Sequence, residues 1–273
     1  MALWNKINSR GNVRDVRGAP TRLLLGGGGL GIAGLALTLL FTFMGGGSVG
    51  DVLSQLQGLQ VSQQVANVEQ FEGSDEYEVF ASTVLGSNND MWRSIFAQAN
   101  LEYTEPTLVL FRSATESACG VATSAVGPHY CPLDQTIYLD ETFFNELKTS
   151  MGAKGGDVAE AYVMSHEVGH HAQNLLGILN SEKTNADSIK TELQADCFAG
   201  LWAYSIKDLN VLEFGEIQEA MDAAASAGDD KIQQRINGRV NPESWTHGSS
   251  ADRVAWFNRG YESGNIDSCN TFR

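Results

Sequence analysis

The chain has 273 residues, 42 % of them hydrophobic and 19 % charged, with 33 acidic against 18 basic side chains for a formal net charge of −15. That apolar content excludes a disordered chain. The acidity excludes nucleic acid as a partner, because a phosphate backbone is repelled by a body of this charge.

Charge is unevenly spread along the chain. Residues 1–22 carry Lys6, Arg10, Arg14, Arg17 and Arg22 against Asp15 alone. They are followed by 22 uncharged residues, 23–44, in which nothing is more polar than Thr38 and Thr42. A run of that length can cross a hydrocarbon core of about 30 Å as a helix. A cleaved secretory signal is the competing reading, but its apolar region would be about 7–15 residues and would end in an Ala-x-Ala-like site. The expectation is therefore one N-terminal transmembrane helix over 23–44. The basic segment 1–22 would be cytoplasmic by the positive-inside rule, and the acidic body would be periplasmic or extracellular. Residues 45–70 read as a stem rich in Gly, Ser and Gln, and 71–273 as one domain.

Within that domain, 71–100 reads as two helices broken at 86–89, and 107–111 and 136–140 read as short apolar strands. The remainder is mainly helical, giving an α+β class. Cys119, Cys131, Cys197 and Cys269 lack any C-x-x-C spacing and suit an exported chain with two disulfides rather than a zinc knuckle, with buried free thiols as the alternative. Three connectivities are possible. The favoured one pairs Cys119 with Cys131 across a short loop, and Cys197 with Cys269, pinning the C-terminal tail to a helix.

The chemistry lies in a helix over 157–177, with Asp157 as its N-cap and Gly177 as its C-terminal cap. It contains His166-Glu167-Val168-Gly169-His170. Residues i and i+4 project from one face, so both imidazoles can reach one metal ion while Glu167 reaches an attacking water without being a ligand. His171 points away from them and reads as an outer or surface group. Thr191-Glu192-Leu193-Gln194-Ala195-Asp196 opens a second helix. Glu192 can complete a His₂Glu zinc site, and Asp196 can hold the free ring nitrogen of a ligand histidine. Small residues at 195, 199, 200 and 203 would let this helix approach the first closely. Further on, Trp245-Thr246-His247-Gly248 precedes Ser249 and Asp252, a capping-box pattern that opens a last helix and holds His247 in a loop at its start.

The text HEVGHH followed by ELQADCFAG resembles the gluzincin pattern of zinc metallopeptidases. With NVRDVRG, PTLVLFRSATESACG, GPHYCPLDQTIYLD and THGSSADRVAWFNRGYESG, nearly the whole chain resembles one bacterial membrane-anchored family, the putative neutral zinc metallopeptidases. The resemblance implies a zincin-like fold with a small sheet over the active-site helix and one Zn²⁺ per chain on His166, His170 and Glu192, with Glu167 as catalytic residue. It suggests that strand 136–140 lies at the sheet edge, where an extended peptide could pair with it. Membrane-protease gluzincins place a histidine and a following arginine near the active site, which matches His247 and Arg253. His247 is thereby the expected oxyanion donor, with Tyr138, Tyr162 and Tyr261 as competitors. Two features depart from the family pattern: His129 stands where relatives more often carry an aromatic residue, and the connection from Gly177 to Glu192 is short. The expected function is peptide-bond hydrolysis in the cell envelope on a peptide or protein substrate, through a zinc-activated water and Glu167 as general base. The alternatives are a catalytically silent zinc-binding scaffold and a zinc amidase acting on cell-wall amides.

Overall fold

The structure is a computed structural model that describes residues 2–18, 75–149, 152, 154–179, 184–213 and 215–272. Residues 1–18 and 71–273 belong to one compact unit. Its strands are β1 (Val13–Asp15), β2 (Thr107–Leu110), β3 (Ala114–Ser117), β4 (Gly120–Thr123), β5 (His129–Cys131) and β6 (Thr136–Leu139). Its helices are α1 (Glu76–Gln98), α2 (Thr142–Thr149), α3 (Asp157–Leu175), α4 (Asn185–Ser205), α5 (Ile217–Ser226), α6 (Asp229–Asn237) and α7 (Ser250–Ser263). The class is mixed α+β, as expected.

One sheet runs β1-β2-β6-β5, parallel except for β5, and β3-β4 form a separate hairpin. All four residues of β6 are buried because strands pair with it on both sides. The strand expected at the edge is therefore interior, and β1 and β5 are the edges. The helix expected to break at 86–89 is continuous. Gly86 serves close approach instead: a Cβ there would lie 2.5 Å from the Arg10 backbone nitrogen. Asn88 turns its amide inward to Val84 O at 2.9 Å and to Ser165 Oγ on α3 at 2.9 Å.

The N-terminal segment needs a larger correction, because residues 2–18 are part of the body. Strand β1 extends the sheet in parallel with β2. The Trp4 ring stacks on Trp202 at 6.4 Å and meets Phe80 edge-on at 5.1 Å, and its Nε1 donates to Asp157 Oδ2 at 2.8 Å. The buried Arg17 guanidinium binds Asp15, Asp75 and Glu141 at 2.5, 2.7 and 2.8 Å. A segment built into the sheet cannot lie across a bilayer from it, so the expected single-pass arrangement is overturned. Among the described residues, no helix is long and apolar enough to cross a membrane. The expected span 23–44 and stem 45–70 lie outside the described residues, as do 180–183 of the short connection after Gly177.

Helix α3 begins one residue earlier than expected. Gly156, at φ 120°, is its N-cap, and Asp157 receives Ala2 N and Trp4 Nε1 instead of capping. At the other end Gly177, at φ 74°, donates to Asn174 O while Ile178 N donates to Gln173 O, which closes the last turn in a Schellman motif. Helices α3, α4 and α7 cross at glycines: a Cβ on Gly169 would fall 3.2 Å from Ala195 Cα, one on Gly200 2.0 Å from Phe257 O, and one on Gly260 2.0 Å from Cys197 O. The disulfides are Cys119–Cys131 and Cys197–Cys269, the favoured pairs, and the second ties the C-terminal turn Ile266–Cys269 to α4.

Because Trp4 joins α3 and α4 through Asp157 and Trp202, Trp4→Ala should lower unfolding stability by about 3–5 kcal/mol, the usual cost of truncating a packed aromatic. Urea denaturation checks this. An unchanged midpoint would mean that the segment does not pack as described.

Candidate functional site

Helix α3 presents His166, Glu167 and His170 along one face, and α4 presents Glu192 and Asp196 opposite them. Contact between Gly169 and Ala195 sets the close spacing of the two helices. One nitrogen of each histidine and one Glu192 oxygen lie within 4.8 Å of one another. His166 Nε2 is 3.2 Å from Glu192 Oε2, and His170 Nε2 is 3.4 Å from Oε1. The two rings stand nearly perpendicular, 4.7 Å apart. Two imidazoles and a carboxylate converging in this way form a donor set that suits zinc, with a coordination position left over.

Both imidazoles are held from behind. His166 Nδ1 donates to Asp196 Oδ1 at 2.9 Å, and His170 Nδ1 donates to Gln173 Oε1 at 2.8 Å. Each Nε2 is thereby turned toward Glu192, the orientation that ligand histidines require. Gln173 is itself buried and fixed, donating to Thr191 O at 2.8 Å and to Gln194 Oε1 at 3.1 Å. Asp196, with no solvent exposure, also accepts from the Tyr162 hydroxyl and from Arg253 Nε and Nη2 at 2.8 and 3.0 Å. Burial pushes the Asp196 carboxyl up, but the Arg253 charge and the His166 bond outweigh it and hold the group below the ordinary range. Glu167 is buried outside this network. Burial raises its pKa against the opposing pull of His170 and His166.

The site opens into a cavity of about 580 Å³ that is also lined by His129, Tyr162, His247 and Arg253. His247 is half exposed, with Nδ1 3.2 Å from Asp229 Oδ1. The other Asp229 oxygen accepts from the backbone N–H groups of Thr246, His247 and Gly248 at 2.8, 2.7 and 2.9 Å, so one carboxylate shapes the loop and orients the ring. Ser249 Oγ accepts from Asp252 N at 3.0 Å, the expected cap of α7. His129 does not join the ligand cluster; its Nδ1 faces Gly127 O at 3.1 Å and its ring stacks on Tyr138.

Three further placements differ from expectation. His171 is not an outer or surface group. It is fully buried, with Nε2 against Thr104 O at 2.6 Å and Nδ1 against the Tyr130 hydroxyl at 3.0 Å, which anchors β5 to α3. The Tyr138 hydroxyl donates to Asp134 at 2.9 Å, and Tyr261 stacks on Phe257 outside the cavity lining. Gln173 and Asp229 went unmarked in the sequence. Gln173 stands three residues after His170, a spacing that could have drawn attention to it, whereas nothing local marks Asp229.

Comparison with known proteins agrees with this geometry. A family model described as putative neutral zinc metallopeptidase matches residues 2–272. The chain is 40 % identical over 283 residues to the uncharacterized protein YpfJ of Escherichia coli (strain K12), covering 98 % of each chain. It is 42 % identical over 245 residues to the uncharacterized protein Rv2575 of Mycobacterium tuberculosis (strain ATCC 25618 / H37Rv), covering 82 % of each. No solved structure matches it. A match over nearly every residue, together with a His-His-Glu cluster that suits the metal in the family's name, leads to one conclusion: the chain belongs to the putative neutral zinc metallopeptidase family.

Proposed function

We propose that this protein is a zinc peptidase that hydrolyses peptide bonds with Glu167 as general base. The observation that carries the reading is the division of labour on α3. His166 and His170 turn their Nε2 atoms toward Glu192, while Glu167, on the same helix face, stays out of the ligand cluster and lines the same cavity. A scaffold that only bound zinc would have no use for a carboxylate buried there at the cost of desolvation.

His166, His170 and Glu192 would hold the ion. Zinc bound there supplies a Lewis acid that polarises the scissile carbonyl and brings the pKa of an attacking water down to about 7. Glu167 accepts the proton of that water as it attacks and delivers it to the departing amine nitrogen. Asp196 and Gln173 keep the two ligand rings in one tautomer throughout. His247, which lines the cavity and is held at Nδ1 by Asp229, would stabilise the oxyanion of the tetrahedral intermediate from Nε2. Tyr162 also lines the cavity, but its hydroxyl is committed to Asp196.

Zinc content and turnover should separate on substitution. Glu167→Gln should keep close to one zinc per chain by atomic absorption and lose about 10²–10⁴-fold in kcat on unfolded protein. Glu192→Ala should lose the metal. Full zinc retention in Glu192→Ala, with loss in His129→Ala, would reassign the third ligand. Cell-wall fragments cleaved in place of protein would redirect the reading to an amidase.

His247→Ala should leave zinc content and melting temperature unchanged while kcat falls about 10²–10³-fold. Asp229→Asn should reproduce part of that loss. An unchanged kcat in His247→Ala would remove the oxyanion role.

A further inference from the structure

Besides His166 and His170, three side chains that can carry positive charge line the cavity among the described residues: His129 on β5, His247 and Arg253. Two of the three are paired with acids. Arg253 Nε donates to Asp196 at 2.8 Å, and His247 Nδ1 lies 3.2 Å from Asp229. His129 is held by a backbone carbonyl instead, with Nδ1 3.1 Å from Gly127 O. A carbonyl oxygen only accepts, so Nδ1 carries the proton. Nε2 of the same ring has no hydrogen-bond partner among the described residues.

The ring is also clamped. Strand pairing sets His129 opposite Tyr138, and the two rings stack 5.5 Å apart at 19°. The Tyr138 hydroxyl is tied to Asp134, which accepts from Ala118 N at 2.8 Å as well. A partly exposed imidazole fixed by one nitrogen and by stacking offers its other nitrogen already oriented, as a binding group requires. Its charge reaches the reacting centre: burial raises the Glu167 carboxyl, and His170, His166 and His129 pull against that rise.

The titratable groups around His129 are Tyr138 on β6, Asp134 in the turn before it, Tyr130 on its own strand and Glu167 on α3. Asp134 is turned to Tyr138 and Ala118, and Glu167 has the water to serve, so an imidazolium at position 129 keeps no acid of its own. Glu167 and Glu192 would oppose an entering carboxylate, but the Zn²⁺ that the ligand set would hold carries two positive charges against those two. The unpaired histidine then tips the balance toward an anion.

We infer that His129 is a specificity-determining residue whose Nε2–H, in the imidazolium form, binds a substrate carboxylate close to the scissile bond. An acidic side chain and a free C-terminus both present that group. The inference rests on the peptidase reading for the bond that is cut, but the preference for a carboxylate can be measured without cleavage.

The test uses zinc-loaded protein and peptides paired as Glu against Gln at each residue flanking the cut bond, with blocked ends, and a second set with free against amidated C-termini. The two sets tell a side-chain carboxylate from a terminal one. At pH 6 the carboxylate member of at least one pair should have a kcat/KM about 10-fold higher, the yield of a hydrogen bond between charged groups. The ratio should fade toward 1 by pH 8.5, because an ordinary imidazole has a pKa of about 6.5. His129→Gln, and His129→Phe, which retains a ring to stack on Tyr138, should each abolish the ratio at pH 6 while holding about one zinc per chain. Either variant suffices. A ratio of 1 at pH 6 in every pair, or one that survives in a variant, overturns the assignment. If no peptide is cut, the peptidase reading fails by itself, and calorimetric binding of the same pairs to zinc-loaded wild-type protein decides. Tighter carboxylate binding at pH 6 that is lost in the variants upholds the role of His129, and equal binding overturns it.

Discussion

Asp196 sits without solvent exposure where α3, α4 and α7 meet, and its two oxygens receive His166, Tyr162 and Arg253. A lone carboxylate there would be several kcal/mol out of balance, so the three donors must be present and aimed before the helices can close. Removing one partner of such a buried ion pair typically costs about 3–5 kcal/mol. The same bonds that offset its burial fix the His166 ring, so the packing of three helices and the orientation of one ligand are a single requirement. Arg253 extends it to the C-terminal cap of α5 through Ala227 O, on a residue that also lines the cavity.

The close helix crossings make this junction possible. Gly169 against Ala195 brings Glu192 to the two imidazoles, and the reciprocal pair Gly200 and Gly260 lets α7 press its backbone onto α4 and deliver Arg253. The Cys197–Cys269 bond then fastens the tail one residue from Asp196. Strand β5 is held to α3 by Tyr130, whose hydroxyl meets His171 and accepts from Asn174 Nδ2 at 3.0 Å.

What could be read from the sequence was local. Spacing within one helix placed His166, Glu167 and His170 on one stripe, and a serine before Asp252 announced the start of α7, because both depend only on helical geometry. Glu192 and Asp196 were legible for the same reason, once a second helix was granted. The misreadings share a different cause. Arg17 looked like one cation of a basic, membrane-flanking segment, but its three carboxylate partners lie 2, 58 and 124 positions away and turn it into a core residue. Gly86 looked like a helix breaker because its real constraint, the backbone of Arg10, is 76 positions distant in sequence. Strand order is likewise invisible to composition, so β6 passed for an edge. Asp229 shapes the His247 loop from 18 residues away and leaves no pattern to find.

The central claim is that His166, His170 and Glu192 bind zinc as a His₂Glu set. X-ray absorption at the zinc edge on the purified, zinc-loaded protein tests it most directly. The account predicts a shell of nitrogen and oxygen scatterers at about 2.0–2.2 Å, with two imidazole signatures and no sulfur, that loses one imidazole in His170→Ala. Sulfur at about 2.3 Å, or two imidazoles retained in His170→Ala, would contradict it.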